Sequence, residues 1–374
     1  MTTFSRTDNS IMGRWWWTVD RWSLAAVVML MAFGTMLALA SSPAVAERIG
    51  ADSLYFVKRH LVFLPVAAAA IVATSLMTPL QIRRLALLAF IGCLVGLGAT
   101  LLFGVEINGS RRWLSLGGLS IQVTEFAKPT FAVVTAWLLA EKLRDRKFPG
   151  HLLTVISFAA LISLTISQPD LGQTAVIGAV WMSQLFLAGL PMALVVGLIV
   201  LGLVGLAGSY MTLTHVASRI NRFIDPATGD TYQIDRSLMA FSNGGLFGQG
   251  PGEGTVKNSL PDAHADFVFA VAGEELGLII TLIIVVLFAF IVLRGLLRTM
   301  GENNLFVLLA VSGLLVQFGL QTLINMASSL QLIPTKGMTL PFISYGGSSL
   351  LAIGMGIGMV LALTRRRSGK PEGA

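Results

Sequence analysis

The sequence predicts an all-α, polytopic membrane protein of about ten transmembrane helices, with one long extracytoplasmic loop between spans 7 and 8. Three observations carry this prediction. Hydrophobic residues make up 55% of the 374 positions and charged residues 12%, about half the charge of a soluble domain. Mean hydropathy is +0.78. Apolar runs of roughly 18 residues recur, each long enough to cross a bilayer. The net charge of +7 does not imply a nucleic-acid partner, because excess Lys and Arg in such a chain mark cytoplasmic loops. The single cysteine, Cys93, lies inside an apolar run, so the chain has no disulfide framework.

The spans fall near 23–41, 60–77, 85–103, 126–140, 152–167, 171–188, 190–210, 273–293, 305–325 and 343–363. The fourth and fifth are short, and the sixth and seventh nearly merge. The first precedes "SPAVAE" (42–47), which resembles a signal-peptidase site. Its apolar core is longer than a signal core, so it reads as an uncleaved anchor. Residues 1–22 and 365–374 read as tails, with the membrane domain over 23–364 and the long loop over 211–272.

An even span count puts both termini on one side. That side collects Arg6, Arg14, Arg21, Arg83, Arg84, "EKLRDRK" (141–147), Arg294, Arg298 and "RRR" (365–367), so both termini are expected in the cytoplasm. "NGSRRW" (108–113) breaks the rule by placing two arginines outside, a hint of function. The long loop mixes apolar stretches with turn residues and is expected to fold against the bundle.

Chemistry-bearing residues gather at span ends on the outer side. In "LPDAHADFVFAVAGEELG" (260–277) five ionisable residues interrupt a hydrocarbon-rich chain. Pro261 suits a first helical turn, so the segment reads as a helix entering the membrane from outside. Asp262 and Asp266, four apart, would then share a face. Asp262 suits a helix N-terminus, where the dipole favours a negative charge. Desolvation and the Asp262 charge would both raise the pKa of Asp266, which suits a general base. An interfacial carboxylate paired with arginine is the plainer alternative. His264 reads as a hydrogen-bonding residue, because the four histidines show no metal-ligand spacing.

Glu125 and Lys128 open the fourth span, Asp170 ends the fifth and Lys336 precedes the tenth. Charge near bilayer depth faces a cavity or another charge. Internal pairing and an outward polar cavity are both open for these residues. Arg111, Arg112, Lys128 and Lys336 are candidates to hold an anionic group such as a pyrophosphate. "GGLFGQGPGEGT" (244–255) lacks the Gly-Lys-Ser/Thr ending of a nucleotide loop. It reads as turns needing positive φ, or as backbone close to a ligand. "GMGIG" (354–358) reads as close helix packing.

"NGSRRW", "QPDLGQ" (168–173), "GGLFGQGPGEGT", "LPDAHADFVFAVAGEELG" and "PTKGMTLPFISYGGSS" (334–349) resemble, in the same order, the signatures of the SEDS family (FtsW, RodA, SpoVE). The likeness runs over about residues 20–365. "KRH" (58–60) and an N-terminal extension resemble the division branch more than the elongation branch. The resemblance implies ten spans and a peptidoglycan glycosyltransferase. It would polymerise lipid II on the outer face of the cytoplasmic membrane at the septum, beside a class B penicillin-binding protein and other divisome membrane proteins. The family's essential aspartate falls on Asp266 and its Pro-Thr-Lys-Gly lysine on Lys336. Its arginine-tryptophan loop falls on Arg111, Arg112 and Trp113, and its Glu-x-x-Lys motif on Glu125 and Lys128. His264 and Ser344, inside two of the matched motifs, complete the substrate-contact candidates.

The chain departs from the family in places. Ala265 stands where threonine is usual, Val123-Thr124 replaces Pro-Ser, and Asn258 stands where some members carry a glutamate. No cofactor is required by this reading. A divalent cation at the pyrophosphates is compatible with the chemistry, though no ligand cluster demands one. The competing classes are a lipid II flippase and a scaffold for division partners. A flippase needs access from both sides, whereas the polar motifs lie on one. Part of 211–260 is expected to move to admit a head group.

Overall fold

Ten long helices run through the computed structural model at the ten predicted spans, joined by a small sheet and an elaborated loop at one end. The structure describes residues 10–107, 110–117, 119–212, 214–225 and 231–365. The outer parts of both predicted tails, Asn108 and Gly109 of the "NGSRRW" loop, and residues 213 and 226–230 of the segment expected to move lie outside the described residues.

A short helix α1 (Ile11–Thr18) precedes the first span. The spans are α2 (Arg21–Arg48), α3 (Tyr55–Ser75), α4 (Pro79–Phe103), α5 (Val123–Arg144), α6 (Gly150–Ser167), α7 (Leu171–Leu187), α8 (Met192–Thr212), α11 (Val268–Thr299), α12 (Leu305–Ser329) and α13 (Gly347–Leu363). Seven are long and apolar enough to cross a membrane by length and composition, and α7 and α13 are shorter apolar helices. The remaining span, α5, carries Glu125 and Lys128 inside an otherwise buried surface. Between α8 and α11 lie α9 (Thr214–Ile224) and α10 (Tyr232–Gly244).

Helix starts follow local chemistry. Asp20 caps α2, Asp170 caps α7 and Asn304 caps α12, each accepting a backbone N–H of the first turn. Thr78 and Gln81 form a reciprocal capping box on α4. The core divides into two apolar clusters. One joins α2, α3 and α11, the other α4, α5, α6 and α7, and α12 and α13 contribute to both. Small residues let backbones meet, as the "GMGIG" reading expects: a Cβ on Gly354 would lie 3.1 Å from the Ala67 carbonyl oxygen of α3.

Between α4 and α5 the chain forms an antiparallel meander of β1 (Val105–Ile107), β2 (Ser110–Leu116) and β3 (Leu119–Ile121). Its register pairs Glu106 with Arg111 and Val105 with Trp113. Ser110–Trp113 of the predicted outward loop thus open the second strand of a small sheet.

The entering helix predicted to begin at Pro261 is corrected. Residues 261–267 form successive turns, and α11 begins at Val268. Asp262 has φ 50°, a left-handed conformation that a right-handed helix excludes. Asp262 and Asp266 therefore do not share a helical face. The Asp262 carbonyl instead accepts the N–H groups of Ala265 and Phe267, curling the segment back on itself.

The Gly-rich loop explains the acidic pair that follows. Glu274 and Glu275 are fully buried on the first turns of α11. Glu274 accepts the N–H groups of Thr255, Val256 and Lys257 at 2.7–2.8 Å and the Asn243 amide at 2.8 Å. Glu275 accepts Gly254 N–H at 3.2 Å, and also bonds Gly252 N–H and the Lys257 ammonium. The close ligand of this glycine backbone is the chain's own carboxylate pair. Gly277, at φ 75°, breaks α11 where the loop crosses it, and Leu278 N–H donates to the Gly245 carbonyl. A side chain at Gly277 would overlap the loop backbone.

Candidate functional site

At the end of the bundle that carries the sheet, three turn segments and two helices place charged groups around Asp266. The 261–267 turns are fastened from two sides. Asn325 of α12 donates its side-chain amide to the Asp266 carbonyl at 3.0 Å and to the Met338 carbonyl at 2.6 Å. Ser344 donates its hydroxyl to the Ala265 carbonyl at 2.6 Å while accepting Leu340 N–H at 2.7 Å. Tyr345 N–H donates to the His264 carbonyl at 2.9 Å. The 331–346 segment and the Asp266 turn are thus one hydrogen-bonded unit.

Asp266 faces Gly337: a Cβ on that glycine would lie 3.1 Å from Oδ2. Burial and the nearby Asp262 charge push the Asp266 carboxyl up to about 7, against the pull of Arg219. Lys336 is half-buried next to Gly337, with its backbone N–H held by Ser328 at 2.9 Å. Burial and the charges of Arg219 and Arg112 hold its ammonium below the usual lysine range, and Asp170 opposes them.

The sheet brings in Arg112. Strand alternation sends Arg112 to the face opposite Arg111 and Trp113. Arg112 donates to the carbonyls of Gln168 at 3.2 Å and Pro169 at 2.6 Å, and its Nε lies 4.0 Å from Asp170 Oδ2. Burial raises the Asp170 carboxyl, and Arg112 offsets this. Gly172, two residues on, lies beside Lys336: a Cβ there would be in ordinary contact with Lys336 Cδ at 3.5 Å and tight against Met338 Cε at 3.0 Å. Arg112, Arg219 and Lys336 therefore share one field with Asp170 and Asp266.

Several expected site residues stand elsewhere. Arg111 pairs with Glu106 at 3.3 Å on the exposed side of the sheet. Trp113 is half-buried opposite Val105. Lys128, for which the sequence left phosphate binding and internal pairing open, lies inside the bundle. The residue is 2% exposed, and its ammonium bonds both Glu125 oxygens at 3.0 and 3.1 Å and Gln321 at 2.8 Å. Gln173 donates to the same glutamate at 2.7 Å. This is a closed network inside the bundle, the internal pairing that burial of two charges demands. His264 acts as a ring more than as a hydrogen-bonding group. Its centroid lies 4.1 Å from Phe56 and 5.5 Å from Tyr345, and burial lowers its imidazole to about 4. Among the described residues, Nδ1 has no partner.

Sequence reasoning missed Arg219 and Asn325. Arg219 lies on α9, whose strongly amphipathic pattern was legible but was read only as part of a loop. Asn325 was an amide in an apolar span, a position that usually marks a packed polar contact.

Comparison with known proteins identifies the family. The cell cycle protein family model of FtsW, RodA and SpoVE matches residues 21–369. The chain belongs to the FtsW/RodA/SpoVE family. A Caulobacter vibrioides relative named "Probable peptidoglycan glycosyltransferase FtsW" is 43% identical over 367 residues, covering 98% of this chain and 94% of that one. A relative of the same name from Geobacter metallireducens is 33% identical, covering 94% and 97%. Among solved structures, one described as structural coordination of polymerization and crosslinking by a peptidoglycan synthase complex superposes with TM-score 0.77. It is 26% identical and covers 92% of this chain and 97% of that one. The Thermus thermophilus rod shape determining protein RodA superposes at TM-score 0.67 with 26% identity, covering 93% and 97%. The family match thus spans all ten helices and the segments around Asp266 described above.

Proposed function

We propose that this chain is a peptidoglycan glycosyltransferase of the FtsW type, polymerising lipid II into glycan strands during septal wall synthesis. The observation that carries the reading is the Asp266 carboxyl, pushed up to about 7 and surrounded by Arg112, Arg219 and Lys336. The names of the relatives support it. Glycosyl transfer to a sugar hydroxyl needs a base for the hydroxyl and positive charge for a pyrophosphate leaving group. Asp266 takes the proton of the acceptor's 4-hydroxyl. That oxygen attacks the anomeric carbon of the growing strand, inverting it, and the bond to the lipid pyrophosphate breaks. Lys336, Arg112 and Arg219 hold the phosphate charge. Ser344 and Asn325 fix the backbone on either side of the base. A divalent cation at the pyrophosphates remains compatible with this chemistry.

The charged end faces outward, both termini lie in the cytoplasm, and a class B penicillin-binding protein supplies the crosslinking. Support for this orientation comes from the arginines gathered at the opposite end, where Asp20 meets Arg294 and Arg298.

The test is glycan-strand synthesis from purified lipid II by the reconstituted chain and its cognate penicillin-binding protein, with a β-lactam blocking the partner's chemistry. Polymer is expected. No polymer, with lipid II crossing the vesicle membrane instead, would make the chain a transporter.

A further inference from the structure

At the end of the bundle opposite Asp266, one face of α11 forms an open groove of about 410 Å³ lined by Phe290, Leu293, Arg294, Leu297 and Arg298. Leu293 and Leu297 are among the most exposed apolar side chains of the helix. The unbroken part of α11, Leu278–Thr299 after the Gly277 break, is about 33 Å long at 1.5 Å per residue, close to the hydrocarbon thickness of a bilayer. The leucines therefore face acyl chains, and the two arginines lie at the interface.

Asp20 anchors both arginines. Arg294 donates Nε to Oδ2 at 2.7 Å and Nη2 to Oδ1 at 3.0 Å, and Arg298 Nε lies 3.1 Å from Oδ2. Ser23 hydroxyl and Trp22 N–H occupy the same carboxylate. Four hydrogen bonds and the Arg298 ion pair thus fill one carboxylate. Arg298 also donates Nη1 to the Thr364 carbonyl at 3.2 Å, whereas Arg294 stands over the Phe290 ring at 5.6 Å with Nη1 in no hydrogen bond among the described residues. Arg21, one residue from Asp20, stands over the Trp17 ring at 5.0 Å, and Trp22 is exposed. Arginine and tryptophan at one level, above exposed leucines, are the chemistry of a lipid head-group contact.

We propose that this groove binds an anionic phospholipid, its phosphate on the outer edge of Arg294 and beside Arg298, its acyl chain along Phe290, Leu293 and Leu297. The ligand joins α11 to the start of α2, completing a cluster whose internal carboxylate is already shared. The site is independent of the glycosyl-transfer reading.

The experiment uses the full chain in a neutral detergent, with native mass spectrometry of retained phosphatidylglycerol against phosphatidylcholine of identical acyl chains. One phosphatidylglycerol is expected to be retained roughly fivefold more strongly, the effect of one surface cation. Head-group photoactivatable phosphatidylglycerol should label the peptide spanning 290–298. Arg294→Gln should abolish the preference. Asp20→Asn, which keeps a good helix cap while releasing both guanidiniums, should increase it. Equal retention of the two lipids, labelling elsewhere, or a preference unchanged in Asp20→Asn overturns the proposal. So does crosslinking at Leu293 to a protein rather than to lipid. If Arg294→Gln does not fold, the labelling map and Asp20→Asn decide alone.

Discussion

Gly337 leaves the Asp266 carboxylate the space it occupies, since a Cβ there would lie 3.1 Å from Oδ2. Gly337→Ala forces either the carboxylate or the Lys336 turn to give way. The bundle does not depend on this surface position, so folding should be retained. The shift needed is a few tenths of an ångström, less than the misplacement of about 1 Å that costs roughly 100-fold in rate. Polymerisation assays on the purified variant should show a loss of at most about 10-fold, with an unchanged thermal transition.

The Asp266 carboxyl, raised to about 7 from 3.8, gives the reaction an acid limb. Only the ionised form accepts a proton, so the rate should rise about tenfold per pH unit below 7 and level off above it. The same shift has a stability sign. The fold favours the protonated acid, so the contribution of Asp266 to stability is full below about 4 and is lost as pH rises through about 7. Thermal melts at pH 8 should show Asp266→Asn at least as stable as the unsubstituted chain.

Arg219 holds Asp266 down against burial. Arg219→Ala should shift the acid limb of the rate profile toward alkaline pH and raise KM for lipid II. Arg219 is exposed on α9, so stability should change by less than about 0.5 kcal/mol. An unmoved pH profile would remove Arg219 from the site.

Lys128 sits in a closed buried network with Glu125 and Gln321. Lys128→Met leaves Glu125 buried and unpaired, which costs about 3–5 kcal/mol. The expected readout is lost accumulation in the membrane. Adding Glu125→Gln should restore much of it, because the pair is then replaced by neutral groups. A folded Lys128→Met chain with raised KM would return Lys128 to the substrate.

The ten spans were legible because each needs its own apolar run, whatever it packs against. Asp266 and Lys336 were legible because charge at bilayer depth is costly and so conspicuous. What sequence periodicity concealed was tertiary. Pro261 suggested a helix start, but the left-handed Asp262 and the bonds from Ser344 and Tyr345 hold the segment in turns. The glycines of 244–255 signalled close approach without saying to what. Their partners, Glu274 and Glu275, lie about twenty residues on, and only the folded loop brings them together. Lys128 and Glu125 left pairing and ligand binding open until Gln173 and Gln321 closed the network. Arg219 stayed hidden because the fold, and not the spacing, lays α9 near Asp266.

Strand synthesis by Asp266→Asn tests the account most directly. The variant should be reconstituted with its β-lactam-blocked partner and supplied with lipid II at pH 8, where the unsubstituted carboxyl is ionised. The account predicts a folded, membrane-inserted chain that makes no polymer. Glycan strands formed at a rate near that of the unsubstituted chain would contradict it, leaving Asp266 a buried carboxylate and the base to be found elsewhere.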